Sequence, residues 1–440
     1  MANPKIWSDF DFITLILTLL LIGFGVVALA GATMENSTAN LWIRQVAWVM
    51  MGLVCLFCVL LVDYQFWIRH ALLVYLAGLV GLLLCFTPFL GHVSHGATSW
   101  IKIKGIPLQF QTSEFAKITT IIMLAKILST KKEEWNGLLD ILKPLSIAAL
   151  PSLLIAKQPD TGTALVLIPI TLVMMFVAGL PYPHLLLLIS PALCLFGVSH
   201  DLLSLLLWVS LISFLLLLVV ITKVPWTVWV PFLSLSVFAF VFVHEYGNVI
   251  WEHLPEHQKG RVLGYINPDF ELNKTNYNIN QSKIALGSGG FWGKGLGHGT
   301  QSKYQFLPEL QHDFVFPVVG EQLGFWGGGT ILGLFLLMFI RGIDTAMEAR
   351  SLQGALLVSG VIGLFFTHLT VNVSMVSGLL PVTGLPLTFI SYGGSFMLAS
   401  MVGVGLIMNV RMWAAWEMLK DGFSAGRSQM SLPRKISDDF

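Results

Sequence analysis

Long apolar runs recur along the whole chain and limit its fold more than any other feature. A helix that crosses a hydrocarbon layer about 30 Å thick needs about 20 apolar residues. Only 11% of the residues are charged, against about 25% in soluble domains. The sequence therefore predicts an all-α polytopic membrane protein with about 12 transmembrane helices. The twelve apolar stretches are 12–30, 45–62, 71–90, 115–128, 142–155, 164–180, 184–198, 203–222, 225–243, 314–340, 352–377 and 392–410.

The basic residues predict the orientation of these helices. If the N-terminus is inside, fourteen Lys and Arg residues fall in short cytoplasmic segments and four in short external segments. Basic residues in short loops favour the cytoplasmic side, so both termini are predicted to be cytoplasmic. The first apolar run is interpreted as a span and not as a removed signal peptide, because no small-residue cleavage site follows it. A net charge of +1 excludes a nucleic-acid binder that acts through a global basic field.

One polar segment of 70 residues, 244–313, interrupts the apolar pattern. The predicted organisation is a bundle of about nine spans over 1–243, a large external loop over 244–313, about three spans over 314–410 and a cytoplasmic tail over 411–440. Connections this long are usually functional or disordered. The loop is rich in aromatic residues that can anchor it, so we expect it to be ordered and to lie over the bundle.

The loop contains a glycine-rich run at 281–301 that invites comparison with phosphate-binding loops. The Walker pattern requires Gly six residues before Lys294 and Ser or Thr after it, and Ser288 and Gly295 occupy those places. A glycine-rich backbone can still approach a ligand closely, and Lys283, Lys294 and Lys303 beside it could hold anionic groups. A flexible series of turns with solvated lysines accounts for the same residues, and both interpretations stay open.

Two carboxylates, Asp269 and Glu271, lie earlier in the loop. A loop carboxylate is normally solvated. Close to an apolar bilayer surface, a partly desolvated carboxylate would be suited to taking a proton from a hydroxyl. Asp269 and Glu271 are therefore candidate general bases.

Ionisable residues at the edges of spans are also informative, because charge is costly to bury in lipid. Glu114 and Lys117 are three residues apart at the start of a helix and can face each other. Asp160 precedes a helix that its carboxylate could cap through Gly162 or Thr163, and capping and catalysis both remain open for it. Glu321 lies about eight residues into a span, where it needs a partner inside the bundle.

The run 372–395 combines Pro and Gly at membrane depth. Irregular backbone is tolerated there only if it is buried in protein or lines a cavity. This pattern predicts a broken span beside a cavity.

Four motifs together resemble the SEDS family of cell-wall proteins: QTSEFAK at 111–117, QPDTGTA at 158–164, NYNINQSKIALGSGG at 276–290 and PVTGLPLTFISYGGS at 381–395. Within the family, the loop run is more similar to the RodA elongation branch than to the FtsW division branch. The resemblance implies about ten spans and a large external loop. Residues 180–243 hold three predicted spans where the family has one, and an extra pair leaves the loop on the same side.

The resemblance implies a peptidoglycan glycosyltransferase that joins lipid II units into glycan strands during cell elongation and shape maintenance. It also implies the outer face of a bacterial cytoplasmic (inner) membrane as the place of reaction. The implied partners are a class B penicillin-binding transpeptidase and the elongation machinery, with no nucleic acid.

The family's essential external carboxylate is an Asp, and the matching position here is Glu271. Glu reaches one methylene further, so either the site has adjusted or Asp269 takes the role; we favour Glu271. Three further departures from the family pattern are Ser99 in place of Arg, and Thr112 and Thr388 in place of Pro.

The implied reaction is inverting glycosyl transfer. Glu271 would accept the proton of the acceptor GlcNAc 4-hydroxyl as that oxygen attacks C1 of the donor MurNAc, and undecaprenyl pyrophosphate would leave. Cations, or a divalent metal such as Mg or Mn, would stabilise the charge on the pyrophosphate. The candidate cations are Lys117, Arg261, Lys283 and Lys294. Supporting roles are expected for Trp100, Glu114, Asp160, Gln281, Ser282, Glu321, Ser391, Tyr392, Gly393, Gly394 and Ser395.

Two other functions remain open from the sequence. In a lipid II flippase or other transporter, Glu114, Asp160 and Glu321 would form a coupling path. Transporters often pair broken helices in corresponding halves, whereas this sequence has one clear broken segment. A non-catalytic scaffold for the transpeptidase would tolerate Glu at position 271.

Overall fold

The computed structural model describes most of the chain. It covers residues 10–33, 41–87, 91–94, 97–102, 109–131, 135, 137–196, 202–222, 224–253, 259–260, 275–304, 306 and 310–429. Each of the twelve apolar stretches coincides with a helix, so the mainly helical fold is confirmed. The candidate bases Asp269 and Glu271 and the candidate cation Arg261 lie outside the described residues.

The helices described before the long polar segment are named in chain order. They are α1 (Phe12–Thr33), α2 (Leu41–Leu60), α3 (Tyr64–Arg69), α4 (Ala71–Leu84), α5 (Thr112–Ser129), α6 (Leu138–Lys157), α7 (Thr161–Val177), α8 (Tyr182–Phe196), α9 (Leu202–Thr222) and α10 (Trp226–His253).

In the part of the chain that the structure describes, two short helices and three long ones follow. They are α11 (Thr275–Ser288), α12 (Thr300–Lys303), α13 (Val315–Glu348), α14 (Leu352–Val376) and α15 (Gly394–Gln429). Helix α10 runs through the predicted boundary at 243, and α15 continues into the predicted tail. The division into domains stays a prediction.

Within the described residues, seven helices are long and apolar enough to cross a membrane, which makes the protein a multi-pass membrane protein. They are α1, α2, α6, α10 as far as Gly247, α13, α14 and α15 as far as Trp413. Three shorter apolar helices add to them: α4, α7 and residues 208–222 of α9. The number of twelve spans stays a prediction, because α5 and α8 are in neither group.

A three-stranded antiparallel sheet lies between α4 and α5, and the sequence analysis did not predict it. Its strands are β1 (Gly91–Ser94), β2 (Ala97–Lys102) and β3 (Gln109–Gln111), in the order β1-β2-β3. Trp100 of β2 pairs with Gln111 of β3, and α5 begins at the next residue. We call the end of the bundle that carries this sheet the sheet end. The predicted orientation puts it outside the cell.

The core of the bundle is built around α15 and α14. The first 20 residues of α15, Gly394–Trp413, are the most buried of the candidate spans. Helix α15 packs on α2, and α14 packs on α5, α7 and α13. Close packing between membrane helices relies on small residues. Gly360 of α14 fits this rule, since an added Cβ would meet Ile121 of α5 and Met174 of α7.

Helix α8 packs on α9 and α10, and it also contacts α7. The hydroxyls of Ser190 and Ser236 lie 2.7 Å apart between α8 and α10. The ring of Trp208 stacks on Phe240 with 4.4 Å between centroids. Three helices therefore occupy the part of the chain where the resemblance implied one.

Candidate functional site at the sheet end of the bundle

Residues 377–393, between α14 and α15, are not helical, as expected for irregular backbone in this run, whereas its membrane depth and the cavity beside it stay predictions. We call them the unwound segment. Phe389 within it has φ +66°, a conformation that costs a non-glycine residue about 1–2 kcal/mol. Its buried ring packs against Phe335 and Phe365. Tertiary packing holds the segment in a shape that the local chain disfavours.

Two side chains on one face of α14 bind consecutive carbonyls of the unwound segment. His368 Nδ1 lies 3.0 Å from the Pro386 carbonyl oxygen. Asn372, one helical turn later, donates from Nδ2 to the Leu385 carbonyl at 2.7 Å. Buried backbone groups in a membrane protein need such partners, because lipid supplies none.

Helix α2 holds the other end of the unwound segment. Gln45 donates from Nε2 to the Ser391 carbonyl at 3.3 Å and accepts from the Gly393 amide at 3.4 Å. The next residue, Gly394, lies against the ring of Trp48, which leaves no space for a Cβ. Close approach explains the need for glycine at position 394.

The remaining residues of the SYGGS run also have positioning contacts. The Ser391 hydroxyl accepts from the Leu387 amide at 2.8 Å, inside the unwound segment. The Tyr392 amide donates to the Gln311 carbonyl at 2.8 Å, and Ser395 Oγ accepts from the Gln111 amide at 2.9 Å. These contacts join the start of α15 to the segment before α13 and to the sheet.

A buried cluster of three ionisable groups lies beside the unwound segment. Lys117 Nζ is 2.9 Å from Glu114 Oε2 and 3.0 Å from Oε1, which confirms the predicted pairing. The same nitrogen is 3.0 Å from His368 Nε2. Lys117 and His368 are 0% exposed and Glu114 is 3% exposed. We call these three residues the buried triad.

Asp160 lies near the buried triad at the start of α7. Its Oδ1 accepts from the Thr163 amide at 3.2 Å, which confirms the predicted helix cap. Its Oδ2 accepts from Gln111 Nε2 at 3.3 Å. Asp160 also lies close enough to Glu114 to interact with it electrostatically. The sheet end therefore gathers two carboxylates, one ammonium, one imidazole and several amides.

Glu321 was predicted to need a partner inside the bundle, and the structure shows that this partner is Lys294. Lys294 Nζ donates to Glu321 Oε1 at 2.8 Å, and the Thr300 hydroxyl donates to the same oxygen at 3.0 Å. The Gln301 amide donates to both carboxylate oxygens, at 3.1 and 3.2 Å. Glu321 is 0% exposed, so these contacts compensate a buried charge.

The glycine-rich run packs its backbone directly on α13. Helix α13 is interrupted at Gly324, with φ +67° and ψ −161°. The Lys294 amide donates to the Glu321 carbonyl at 2.9 Å, and the Phe325 amide donates to the Gly290 carbonyl at 2.9 Å. A Cβ at Gly289 would collide with the carbonyl of Gly320. Glycine is needed here for contact between two backbones.

Replacing Gly289 with Ala is expected to destabilise the protein by about 1–3 kcal/mol, because the added methyl group meets a backbone carbonyl that cannot rotate away. Gly287→Ala is the matched control, because a Cβ at Gly287 of α11 meets nothing within 4 Å. Thermal unfolding of the two purified variants in detergent measures the difference. Equal unfolding temperatures would contradict the packing role of Gly289.

The other predicted site residues are on β2 and α11. Trp100 is half-buried in the sheet. Gln281 is half-buried, Ser282 is buried and Lys283 is exposed on α11. The end of the Lys283 side chain lies against Gly378, at the start of the unwound segment, where a Cβ would collide with it. Lys283 is thus an exposed cation next to the unwound segment.

The three departures from the family pattern fall at positions that the structure describes. Thr112 is the first residue of α5, a position that Pro also suits because its amide needs no helical partner. Ser99 on β2 and Thr388 in the unwound segment are both buried. Helix α5 therefore starts with Thr in place of Pro at position 112, and the unwound segment has its observed shape with Thr in place of Pro at position 388.

Sequence analysis missed several residues of the site. Gln45, His368 and Asn372 bind the unwound segment or the buried triad, and Gln111 joins Asp160 to Ser395. The available signal was a polar side chain within an apolar run, as for His368 in 352–377. That signal marks a buried polar contact without identifying the partner.

Chemically, the sheet end offers carboxylates, cations and a fixed irregular backbone. Within the residues described by the structure, no group of three or more His, Cys, Asp and Glu side chains is arranged to hold a metal. Mg²⁺ is usually held by one or two carboxylates together with substrate phosphates, so this finding concerns only sites built entirely from protein ligands.

Comparison with known proteins gives matches over most of the chain. The sequence profile of the FtsW, RodA and SpoVE family, described as cell cycle proteins, matches residues 10–207 and 193–415. The peptidoglycan glycosyltransferase RodA of Treponema pallidum is 35% identical over 433 residues, covering 92% of this chain and 98% of that protein. The peptidoglycan glycosyltransferase MrdB of Escherichia coli K12 is 29% identical over 422 residues, covering 93% and 96%.

Solved structures have the same fold. A chain from a study of how a peptidoglycan synthase complex coordinates polymerization and crosslinking matches with a TM-score of 0.67 and 25% identity, over 92% of this chain and 98% of that chain. The rod shape determining protein RodA of Thermus thermophilus matches with a TM-score of 0.59 and 24% identity, over 92% and 97%. The second match supports the fold alone. The resemblance inferred from the four motifs is thus confirmed, and the chain belongs to the FtsW, RodA and SpoVE family of cell cycle proteins.

Proposed function

We propose that this protein is a peptidoglycan glycosyltransferase that joins lipid II units into glycan strands on the outer face of the cytoplasmic membrane. The observation that carries the proposal is its 35% identity, over 98% of the relative's length, to a protein named peptidoglycan glycosyltransferase RodA. The gathering of carboxylates and cations at the sheet end is compatible with this chemistry. The proposed cellular role of this activity is peptidoglycan synthesis during cell elongation and the maintenance of cell shape.

In the proposed reaction, Glu271 takes the proton of the GlcNAc 4-hydroxyl as that oxygen attacks C1 of the MurNAc donor. The C1–oxygen bond to the pyrophosphate breaks, and C1 inverts its configuration. Asp269 is the alternative base. A base near the acceptor hydroxyl typically contributes about 10²–10⁴-fold to the rate.

The leaving pyrophosphate carries the developing negative charge, which nearby cations stabilise. Lys283 is exposed next to the unwound segment, whereas Lys294 is engaged by Glu321 and Lys117 by the buried triad. We therefore expect pyrophosphate to meet Lys283 first. Arg261 and a divalent cation such as Mg or Mn are further candidates for the same role.

The proposed partner is a class B penicillin-binding transpeptidase, which would crosslink the strands that this protein makes. The similarity to a chain studied in a peptidoglycan synthase complex supports this assignment. The proposed location is the inner membrane of a bacterium, with both termini cytoplasmic and residues 244–313 outside. The distribution of basic residues supports this topology.

The test is polymerisation of labelled lipid II by the purified protein, with and without its partner transpeptidase. Wild-type protein is expected to make glycan chains, with the partner increasing the yield. A wild type that is inert under both conditions would contradict the proposal. If that inert protein moves lipid II across the membrane of vesicles, a flippase is indicated. If adding the inert protein restores crosslinking by the transpeptidase, a scaffold is indicated.

A further inference from the structure

His368 lies where α5, α14 and the unwound segment meet, and no motif identified it in advance. Its side chain is 0% exposed. The ring lies beside Phe396 of α15, with 5.1 Å between centroids. Lys117 Nζ lies 5.8 Å from the centroid of the same Phe396 ring. The imidazole and the ammonium therefore share one apolar wall.

The contacts of His368 determine which ring nitrogen carries the proton. Nδ1 lies 3.0 Å from the Pro386 carbonyl oxygen, which can only accept a hydrogen bond. Nδ1 therefore carries the hydrogen, and in the neutral ring Nε2 is an acceptor. The Lys117 ammonium, 3.0 Å away, donates to Nε2. Each nitrogen of the ring has one directional contact.

The two partners of Lys117 come from different parts of the fold. Glu114 is on the same helix, three residues earlier, so this pairing would persist wherever α5 moved. His368 is 251 residues away in sequence and is hydrogen-bonded to the unwound segment. The contact with His368 is thus the one that fixes the ion pair relative to that segment.

We infer that His368 is a positioning residue that holds the Glu114–Lys117 pair in register with the unwound segment for the transfer reaction. The inference rests on the proposed function. Lys117 and Glu114 form a buried ion pair, and Asp160 lies close enough to Glu114 to interact with it electrostatically. Without His368, the ammonium keeps only Glu114 among the partners described above, and the Pro386 carbonyl loses its donor. A displacement of about 1 Å in such a group can cost about 10²-fold in rate.

The test compares His368→Leu, His368→Gln and Thr367→Val in the full-length protein with its partner transpeptidase. Gln carries a donor and an acceptor and can replace both contacts of the imidazole. Thr367 is the matched control, because its hydroxyl donates to the carbonyl of Gly363 in its own helix. The measurements are kcat and KM for lipid II polymerisation and the unfolding temperature in detergent.

We expect kcat of His368→Leu to fall about 10- to 100-fold with KM nearly unchanged. His368→Gln should recover most of kcat, and Thr367→Val should behave as wild type. Wild-type kcat in His368→Leu would overturn the inference. Loss of kcat in His368→Gln equal to that in His368→Leu would also overturn it. Restoring the hydrogen bonds would then have no effect on kcat, whereas a positioning role through those bonds requires such an effect.

A second measurement does not depend on activity and therefore separates this inference from the proposed function. Unfolding temperatures are compared for His368→Leu, Lys117→Met and the double variant. If His368 holds Lys117, the two shifts are not additive, because each substitution removes the same contact. Additive shifts would overturn the inference even if the protein had no polymerase activity, whereas inactivity of the wild type would contradict only the proposed function.

Discussion

Glu271→Gln is expected to lower the rate of lipid II polymerisation by about 10²–10⁴-fold, because Gln keeps the size of the side chain and cannot accept the hydroxyl proton. Substrate binding should change little, so the loss should appear in kcat. The measurement is the initial rate of glycan formation by the purified protein in the presence of its partner transpeptidase.

Three further variants make this experiment specific. Glu271→Asp restores the residue that the family pattern implies at this position, and it should retain activity. Asp269→Asn tests the alternative base. Glu252→Gln changes an exposed carboxylate at the end of α10 and is the matched control. If only Asp269→Asn is inactive, the base lies two residues earlier, and full activity in Glu271→Gln would contradict its assignment.

Lys117→Met is expected to destabilise the protein by about 3–5 kcal/mol and to abolish polymerisation. The substitution leaves the buried carboxylate of Glu114 without its cation, and an uncompensated buried charge is costly. Glu114→Gln should have an effect of similar size, since it removes the anion instead. Thermal unfolding in detergent and the polymerisation rate measure the two consequences separately.

The double variant Glu114→Gln/Lys117→Met distinguishes stability from chemistry. Replacing both members of a buried ion pair is often close to neutral, so the double variant should be more stable than either single variant. It should still be inactive if the pair serves the reaction. Glu348→Gln, which breaks a partly exposed pair with Arg411, is the control and should change stability by at most about 1 kcal/mol. Activity in the stable double variant would show that the pair is structural.

Local patterns in the sequence predicted the parts of this protein that depend on local physics. Hydropathy over about 20 residues identifies a helix that can cross a bilayer, and each predicted stretch coincides with a helix. The pairing of Glu114 with Lys117 and the cap at Asp160 were predictable because each joins residues three apart. The irregular backbone between α14 and α15 was predictable because Pro and Gly disrupt helices wherever they cluster.

Contacts between distant segments could not be predicted in the same way. The small sheet was missed because its strands are short and pair only through their fold context. The sequence indicated that Glu321 needs a partner. The partner, Lys294, is 27 residues away in sequence, and it reaches Glu321 only because the glycine-rich run packs on α13. The glycines that suggested a ligand loop are required, at Gly289, by close backbone packing.

The sequence by itself determined the fold class, the family and the chemical character of the candidate site, because hydropathy, charge and motif spacing are properties of short stretches of chain. Only the tertiary structure decided that His368 joins Lys117 to the unwound segment, and that Gln45 and Asn372 bind that segment's backbone. The physical reason is that a buried polar group must find a partner wherever packing brings one within about 3 Å. That position depends on the whole bundle and not on the residues nearby in sequence.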